Sequence, residues 1–78
     1  MRKTTLKAVD NSLYLDLGSD TTLIGEIMEI GRYIPELIYE VELSGIETIK
    51  LLKECYVNEE IIKHLTNEKR YILTAYDW

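Results

Sequence analysis

Residues 37–43 place an apolar side chain at every second position, and this spacing restricts the possible folds more than any other feature of the sequence. Successive side chains of a β-strand point to opposite faces of a sheet, so the spacing predicts a strand with one buried and one solvated face. The apolar positions are Leu37, Tyr39, Val41 and Leu43, and the acidic positions between them are Glu40 and Glu42. A half-buried strand of this kind is typical of an antiparallel sheet.

The length of 78 residues indicates a single domain, residues 1–78, with no linker and no internal repeat. A chain this short buries a smaller share of its surface than a larger domain does, so one hydrophobic core leaves a small margin of stability. Cys55 is the only cysteine, which excludes a disulfide within the chain. Self-association is the remaining common way to bury more surface, so the composition is compatible with a homo-oligomer.

Cysteine usage and hydropathy predict a soluble, cytoplasmic protein. A lone thiol is typical of a reducing compartment. The basic residues Arg2, Lys3 and Lys7 are followed by polar and acidic residues, where a secretory signal would have an apolar stretch. No run approaches the ~20 apolar residues that a membrane-spanning helix needs.

Several further elements follow from turn and capping residues. The turn formers Asp10, Asn11 and Ser12 separate two strand-like segments, 4–9 and 13–17, and predict a hairpin. Residues 58–67 predict a short helix, because Asn58 is a favourable N-cap and Glu59 and Glu60 suit the positive end of the helix dipole. Residues 71–76 are rich in β-formers and predict a last strand.

Two segments are compatible with either a strand or a helix. In residues 23–30 the apolar spacing fits a helix capped by Asp20 and ended by Gly31, but β-branched residues and Gly25 weaken a short helix, so we favour a strand. Residues 46–52 also favour a strand, with a helix over 46–56 as the alternative. Pro35 predicts that residues 31–36 form a connecting loop.

Three of these segments together resemble a known fold. Residues 25–30 (GEIMEI), 39–43 (YEVEL) and 47–52 (ETIKLL) resemble the three-strand meander of small SH3-like barrels over about residues 23–57. The fold class that we predict is therefore α+β and mostly antiparallel β. The resemblance implies a small SH3-like barrel or a curved sheet of five to six strands, and the short helix predicted near 58–67 is a departure from it. It transfers no function, because small barrels have many unrelated roles.

The net charge of −5 is concentrated in one part of the chain. Residues 26–47 contain six glutamates and a single basic residue, Arg32, whereas the rest of the chain is balanced at eight acidic and eight basic residues. If this segment is a pair of strands, the glutamates form an acidic sheet face that favours a basic partner and repels phosphates. The alternative interpretation is a solvated face that keeps a small protein soluble.

The residues that could carry out chemistry are few. His64 and Cys55 are the only soft metal ligands, and a closed zinc site within one chain would need several carboxylates beside them. No phosphate-binding glycine loop, metal-binding loop or catalytic triad pattern is present. We therefore predict a protein that is not an enzyme and has no catalytic residues, no metal and no cofactor.

The aromatic residues suggest a binding surface. The chain has six tyrosines, one tryptophan and no phenylalanine, so every ring carries a hydrogen-bonding group suited to a partly hydrated interface. The alternative is that the tyrosines only cap a small core. The partner-binding residues that we predict are Arg32, Tyr33, Glu40, Glu42, Tyr76 and Trp78.

Three functional hypotheses follow. The first is a small acidic inhibitor or adaptor, of the type found in phages and mobile elements, that binds a host protein with a basic surface. The second is a homo-oligomeric module that sequesters a small ligand such as a nucleotide between its subunits. Direct binding of nucleic acid ranks third, because it requires a basic groove that the charge distribution does not provide.

Overall fold

The computed structural model describes residues 2–78 and contains five strands and three helices. The strands are Arg2–Ala8 (β1), Tyr14–Gly18 (β2), Arg32–Ile34 (β3), Ile38–Ser44 (β4) and Arg70–Asp77 (β5). The helices are Thr21–Ile30 (α1), Gly45–Glu54 (α2) and Glu59–Ile62 (α3).

The strands form one sheet in the order β2-β1-β5-β4-β3, and every neighbouring pair is antiparallel. The last strand, β5, lies at the centre of the sheet between β1 and β4. The predicted α+β class with a mostly antiparallel sheet is confirmed, and the five strands fall within the predicted number. The sheet is open, with β2 and β3 at its edges, and the SH3-like barrel is not confirmed.

The strands predicted from alternation and turn residues are present. The β1–β2 hairpin reverses at residues 9–13, where the Ser12 amide donates a hydrogen bond to Asp10 Oδ1 at 2.9 Å. Strand β4 corresponds to the alternating segment, although Leu37 lies in the preceding turn with a φ of +62°. Strand β5 matches the segment predicted at 71–76.

The strand predicted at 23–30 is wrong, because this segment lies in helix α1. Asp20 is the N-cap, and its Oδ1 accepts hydrogen bonds from the amides of Thr22 at 2.9 Å and Leu23 at 3.1 Å. The buried side chains are Leu23, Ile24 and Ile27, which lie three or four positions apart on one side of the helix. Packing of this apolar side against the sheet overrides the weak helix propensity of the β-branched residues.

The strand predicted at 46–52 is also wrong, because this segment lies in helix α2. A reciprocal capping box begins the helix, in which the Glu47 amide donates to Ser44 Oγ at 3.1 Å and the Ser44 amide donates to Glu47 Oε1 at 3.2 Å. Two of the three segments that resemble an SH3-like meander are therefore helical.

Two smaller boundaries also differ from the sequence prediction. The predicted loop at 31–36 contains the short strand β3, which pairs with β4 ahead of Pro35. The helix predicted at 58–67 is only α3, residues Glu59–Ile62, although Asn58 is its N-cap as predicted and accepts a hydrogen bond from the Glu60 amide at 2.8 Å.

The hydrophobic core lies between the helices and one face of the sheet. Its fully buried residues include Leu6 on β1 and Leu73 on β5, which contribute to the same cluster as Ile24, Ile27 and Leu52 from the helices. Within residues 2–78, no buried polar side-chain atom lacks a hydrogen-bond partner. Because side chains alternate along each strand, the opposite face of the sheet carries a second set of residues that this core does not use.

Candidate functional site

The sheet face opposite the core is not covered by a helix within residues 2–78, and we call it the open face. Most of its side chains form three rows that run across the strands, and Arg70, opposite Ser44, lies beyond the first of them. The first row is Tyr14, Lys7, Ile72 and Glu42; the second is Asp16, Thr5, Thr74, Glu40 and Arg32; the third is Lys3, Tyr76, Ile38 and Ile34.

The third row ends in a group of large apolar and aromatic side chains. We call this group the aromatic end, and it consists of Ile34, Ile38, Tyr76 and Trp78. The Tyr76 and Trp78 ring centroids are 4.8 Å apart with an interplanar angle of 50°, and Trp78 is 58% exposed. Lys3 Nζ lies 5.7 Å from the Tyr76 ring centroid, within the range of a cation–π contact. The aromatic end thus combines the exposed Trp78 with the half-buried Ile34, Ile38 and Tyr76, and it is bordered by a positive charge.

A strained turn supports the aromatic end. Glu36 and Leu37, between β3 and β4, have φ values of +75° and +62°. Residues other than glycine rarely adopt such backbone angles. Trp78 Nε1 donates to the Glu36 carbonyl at 3.0 Å, and the Asp77 amide donates to the Leu37 carbonyl at 2.8 Å. Backbone strain of this kind concentrates at binding and catalytic sites, where the surrounding contacts maintain it.

Four of the six predicted partner-binding residues converge at this part of the open face. Tyr76 and Trp78 belong to the aromatic end, and Arg32 and Glu40 lie side by side in the adjacent row. The Arg32 Nη2 to Glu40 Oε1 distance is 3.8 Å, and the Arg32 side chain is 79% exposed. The sheet therefore brings four of the six residues predicted from the sequence close together.

The other two predicted residues lie elsewhere. Tyr33 points to the opposite face of the sheet, where its ring packs edge-on against Tyr39 with the centroids 5.2 Å apart. Glu42 is on the open face but two rows away, where its Oε2 accepts from Arg70 Nε at 2.7 Å. Tyr33 is therefore on the other side of the sheet from the Tyr76 ring, and the second row separates Glu42 from that ring.

The predicted acidic sheet face is not present. Of the six glutamates in residues 26–47, only Glu40 and Glu42 lie on the sheet. The others are Glu26, Glu29 and Glu47 in the helices and Glu36 in the turn before β4. The open face carries four cations against three carboxylates. These are Lys3, Lys7, Arg32 and Arg70 against Asp16, Glu40 and Glu42. The charge of the open face is therefore close to balanced.

Sequence reasoning missed a second feature of the open face, which extends from the edge strand β2 to Tyr76 of the aromatic end. A cavity of about 210 Å³ is lined by Tyr14 and Lys7 together with Thr5, Ile72, Thr74, Tyr76 and Glu40. Tyr14 is 60% exposed, and Lys7 makes no ion pair with any residue in 2–78. The signal was present in the sequence, because a hairpin that turns at Asp10 places Lys7 opposite Tyr14.

The groups with a capacity for acid–base or nucleophilic chemistry are separate from the open face. Cys55 is 4% exposed, and burial raises the pKa of its thiol, as do the negative charges of Glu26, Asp20 and Glu54. A raised pKa disfavours the thiolate, which is the nucleophilic form. His64 is exposed after α3. Within the described residues, no three His, Cys, Asp or Glu side chains are grouped so that they could hold a metal ion.

Comparison with protein-family models, with curated proteins and with solved structures found no match. Of the helices in residues 2–78, none has the length and hydropathy needed to cross a membrane.

Proposed function

We propose that this chain is a non-enzymatic binding protein that docks a protein partner on the aromatic end of its open face and acts as an inhibitor or adaptor. One observation carries the proposal. Within residues 2–78 one complete sheet face is uncovered, and one of its ends combines the exposed Trp78 with the half-buried Tyr76 and two half-buried isoleucines. Exposed apolar side chains that lie together, rather than singly, typically mark an interaction site.

The residue types favour a protein partner. Trp, Tyr and Arg are enriched among the residues that contribute most to protein–protein binding. The surroundings of the aromatic end resemble the polar rim of an interface, because Lys3 and the Arg32–Glu40 pair border it on the open face. A side chain from the partner could contact Tyr76 and Ile38 in the centre while these charges remain hydrated.

The charges of the open face argue against nucleic acid. Binding of a phosphate backbone requires several cations without a carboxylate partner. On the open face Arg32 lies beside Glu40, and Arg70 lies beside Glu42. Lys3 Nζ lies 3.9 Å from Asp16 Oδ2. Apolar contacts would instead supply most of the affinity. The partner surface that fits best presents an aromatic or aliphatic side chain, and its binding should depend only weakly on salt.

The test is affinity capture of a partner, followed by measurement of its dissociation constant with purified variants. Trp78→Ala should weaken binding about tenfold or more, because truncation of a central aromatic anchor costs about 2 kcal/mol. Ile34→Ser removes a second apolar contact on the edge strand and should weaken binding without loss of the Trp78 hydrogen bond. Thermal melting of each variant verifies that the fold is retained.

Tyr14→Ala is the matched control, since Tyr14 is an exposed ring of the same face at the opposite corner. It should change the dissociation constant less than twofold. Equal binding by wild type, Trp78→Ala and Ile34→Ser would refute the proposal. A stable homo-oligomer by light scattering, with a melting temperature raised by nucleotides, would replace it with the ligand-sequestering alternative.

A further inference from the structure

Most of the net charge of the chain lies on its helices. Residues 20–30 and 45–64 together contain seven acidic and three basic residues, which accounts for four of the five excess negative charges. We call these two segments the helix layer. The acidic surface of this protein is therefore on the side opposite the open face, and any long-range attraction of a basic molecule acts mainly there.

An apolar groove opens in the helix layer between the end of α1 and one side of α2. The cavity has a volume of about 270 Å³ and is lined by Ile30, Leu43, Glu47, Lys50, Leu51 and Glu54. Ile30 is 51% exposed, although it is a large apolar side chain. Four of the lining residues belong to α2 and follow the spacing i, i+3, i+4, i+7, so they form one stripe along two turns of the helix. They are Glu47, Lys50, Leu51 and Glu54.

The groove has an apolar floor and a charged border. Leu43 of β4, Leu51 of α2 and Ile30 of α1 supply the apolar atoms. Glu47 and Glu54 lie at the two ends of the α2 stripe, with Lys50 between them. The Glu47 carboxylate already accepts hydrogen bonds from Ser44, whereas Glu54 has no ion pair within residues 2–78.

We propose that this groove binds a basic amphipathic helix from a second protein. Two observations support this occupant: an apolar groove of this kind accepts the apolar face of a helix, and the charge of the helix layer complements lysines or arginines on the flanks of that helix. The stripe from Glu47 to Glu54 is about 10 Å long at 1.5 Å per residue, which matches two turns of a partner helix.

The inference goes beyond the proposed function, because it assigns a second surface to the opposite side of the sheet. A chain with one partner on the open face and another on the helix layer would connect the two, as an adaptor does. The two surfaces share no residue, so each can be tested while the other remains intact.

The experiment measures fluorescence anisotropy with the whole chain and a labelled 14-residue peptide of leucine and lysine arranged with helical spacing. We expect saturable binding that weakens as salt is raised. Two comparison peptides separate the contributions: one has glutamate in place of every lysine, and the other has serine in place of every leucine. Both should bind at least tenfold more weakly than the leucine–lysine peptide.

Two variants of the chain place the peptide in the groove. Ile30→Ser should weaken binding severalfold, because it removes the exposed apolar wall. Lys50→Glu should strengthen binding severalfold, because it removes the cation from the border and adds a carboxylate. Thermal melting verifies that each variant is folded, so the second variant keeps the test decisive if the first is unstable.

Trp78 reports whether the peptide binds elsewhere. It is the only tryptophan and lies on the open face, so its emission should not shift when the peptide occupies the groove. A shift in Trp78 emission, equal binding of the serine peptide, or unchanged affinity in both variants would overturn the inference. None of these results would affect the proposal for the aromatic end, which is tested with Trp78→Ala and Ile34→Ser.

Discussion

Gly45 and Gly25 are both helical, but their surroundings are opposite. A Cβ on Gly45 would collide with the Thr66 carbonyl oxygen and lie 2.9 Å from that of Lys69, and both are backbone atoms that a side-chain rotation cannot move. A Cβ on Gly25 would meet nothing within 4 Å. Gly45 thus allows α2 to begin against the segment before β5, whereas Gly25 has no packing role.

We predict opposite effects of alanine at these two positions. Gly45→Ala should lower the free energy of unfolding by about 3 kcal/mol, the upper end of typical overpacking costs, because backbone must move. Gly25→Ala should raise it by about 0.5–1 kcal/mol, because alanine is the better helix former. Urea denaturation of the two variants and the wild type measures both changes. Changes of the same sign would contradict the close approach at Gly45.

Single residues of the candidate site were only partly predictable. The sequence indicated Tyr76 and Trp78 as interface-type residues, and the strand pairing places them next to Arg32 and Glu40. The sheet face on which Tyr33 lies was not predicted, because β3 was interpreted as a loop and its alternation was not considered. Strand alternation places Tyr33 on the face opposite Arg32.

At the level of elements, both long helices were predicted as strands, although their caps are visible in the sequence. Asp20 begins α1, and the Ser44–Glu47 capping box begins α2. The apolar residues of these short segments fit either period, so periodicity alone does not distinguish them. The capping residues are the better local signal here, because they satisfy amides that only a helix leaves unpaired.

The capping box of α2 predicts a pH dependence of stability. The backbone amide and side chain of Ser44 donate to the Glu47 carboxylate, and together with the positive charge of Arg70 they lower its pKa from the usual 4.5. Between the lowered pKa of the folded state and the usual value of the unfolded chain, Glu47 therefore binds a proton more readily in the unfolded chain than in the folded one. The stabilisation is complete above about pH 4.5 and is lost as the pH falls through the lower, folded-state pKa.

Glu47→Gln should remove this dependence. The difference in unfolding free energy between wild type and Glu47→Gln should be largest at neutral pH and should shrink as the solution is acidified below about pH 4.5. Urea titrations at several pH values measure it. Glu68→Gln is the control, since Glu68 is exposed in the segment before β5. A difference that grows on acidification would show that the carboxylate is not stabilised as described.

In the whole molecule, the sheet separates two surfaces of different character. The open face is nearly balanced in charge and has an aromatic end, whereas the helix layer is acidic and contains an apolar groove. Residues 2–78 extend over about 31 × 24 × 18 Å, and the two surfaces lie on opposite sides of the sheet.

We therefore predict that the two proposed binding events are independent. The affinity for the leucine–lysine peptide should be the same within about twofold with and without a saturating partner on the open face, because sites without shared contacts are usually additive. Anisotropy titration of the preformed complex measures this. Complete competition between the two ligands would mean that they share one surface.

The sequence by itself determined the α+β class, the β1–β2 hairpin, strands β4 and β5 and the capping residues Asp20 and Asn58. These features depend on interactions between near neighbours, such as side-chain alternation along a strand or a hydrogen bond from a capping residue. Tertiary structure decided that residues 21–30 and 45–54 are helices, because one face of the sheet requires an apolar cover that these segments provide. It also decided which charges meet, because strand order brings Arg32 beside Glu40 and Arg70 beside Glu42 while the helices carry most of the acidity to the opposite side.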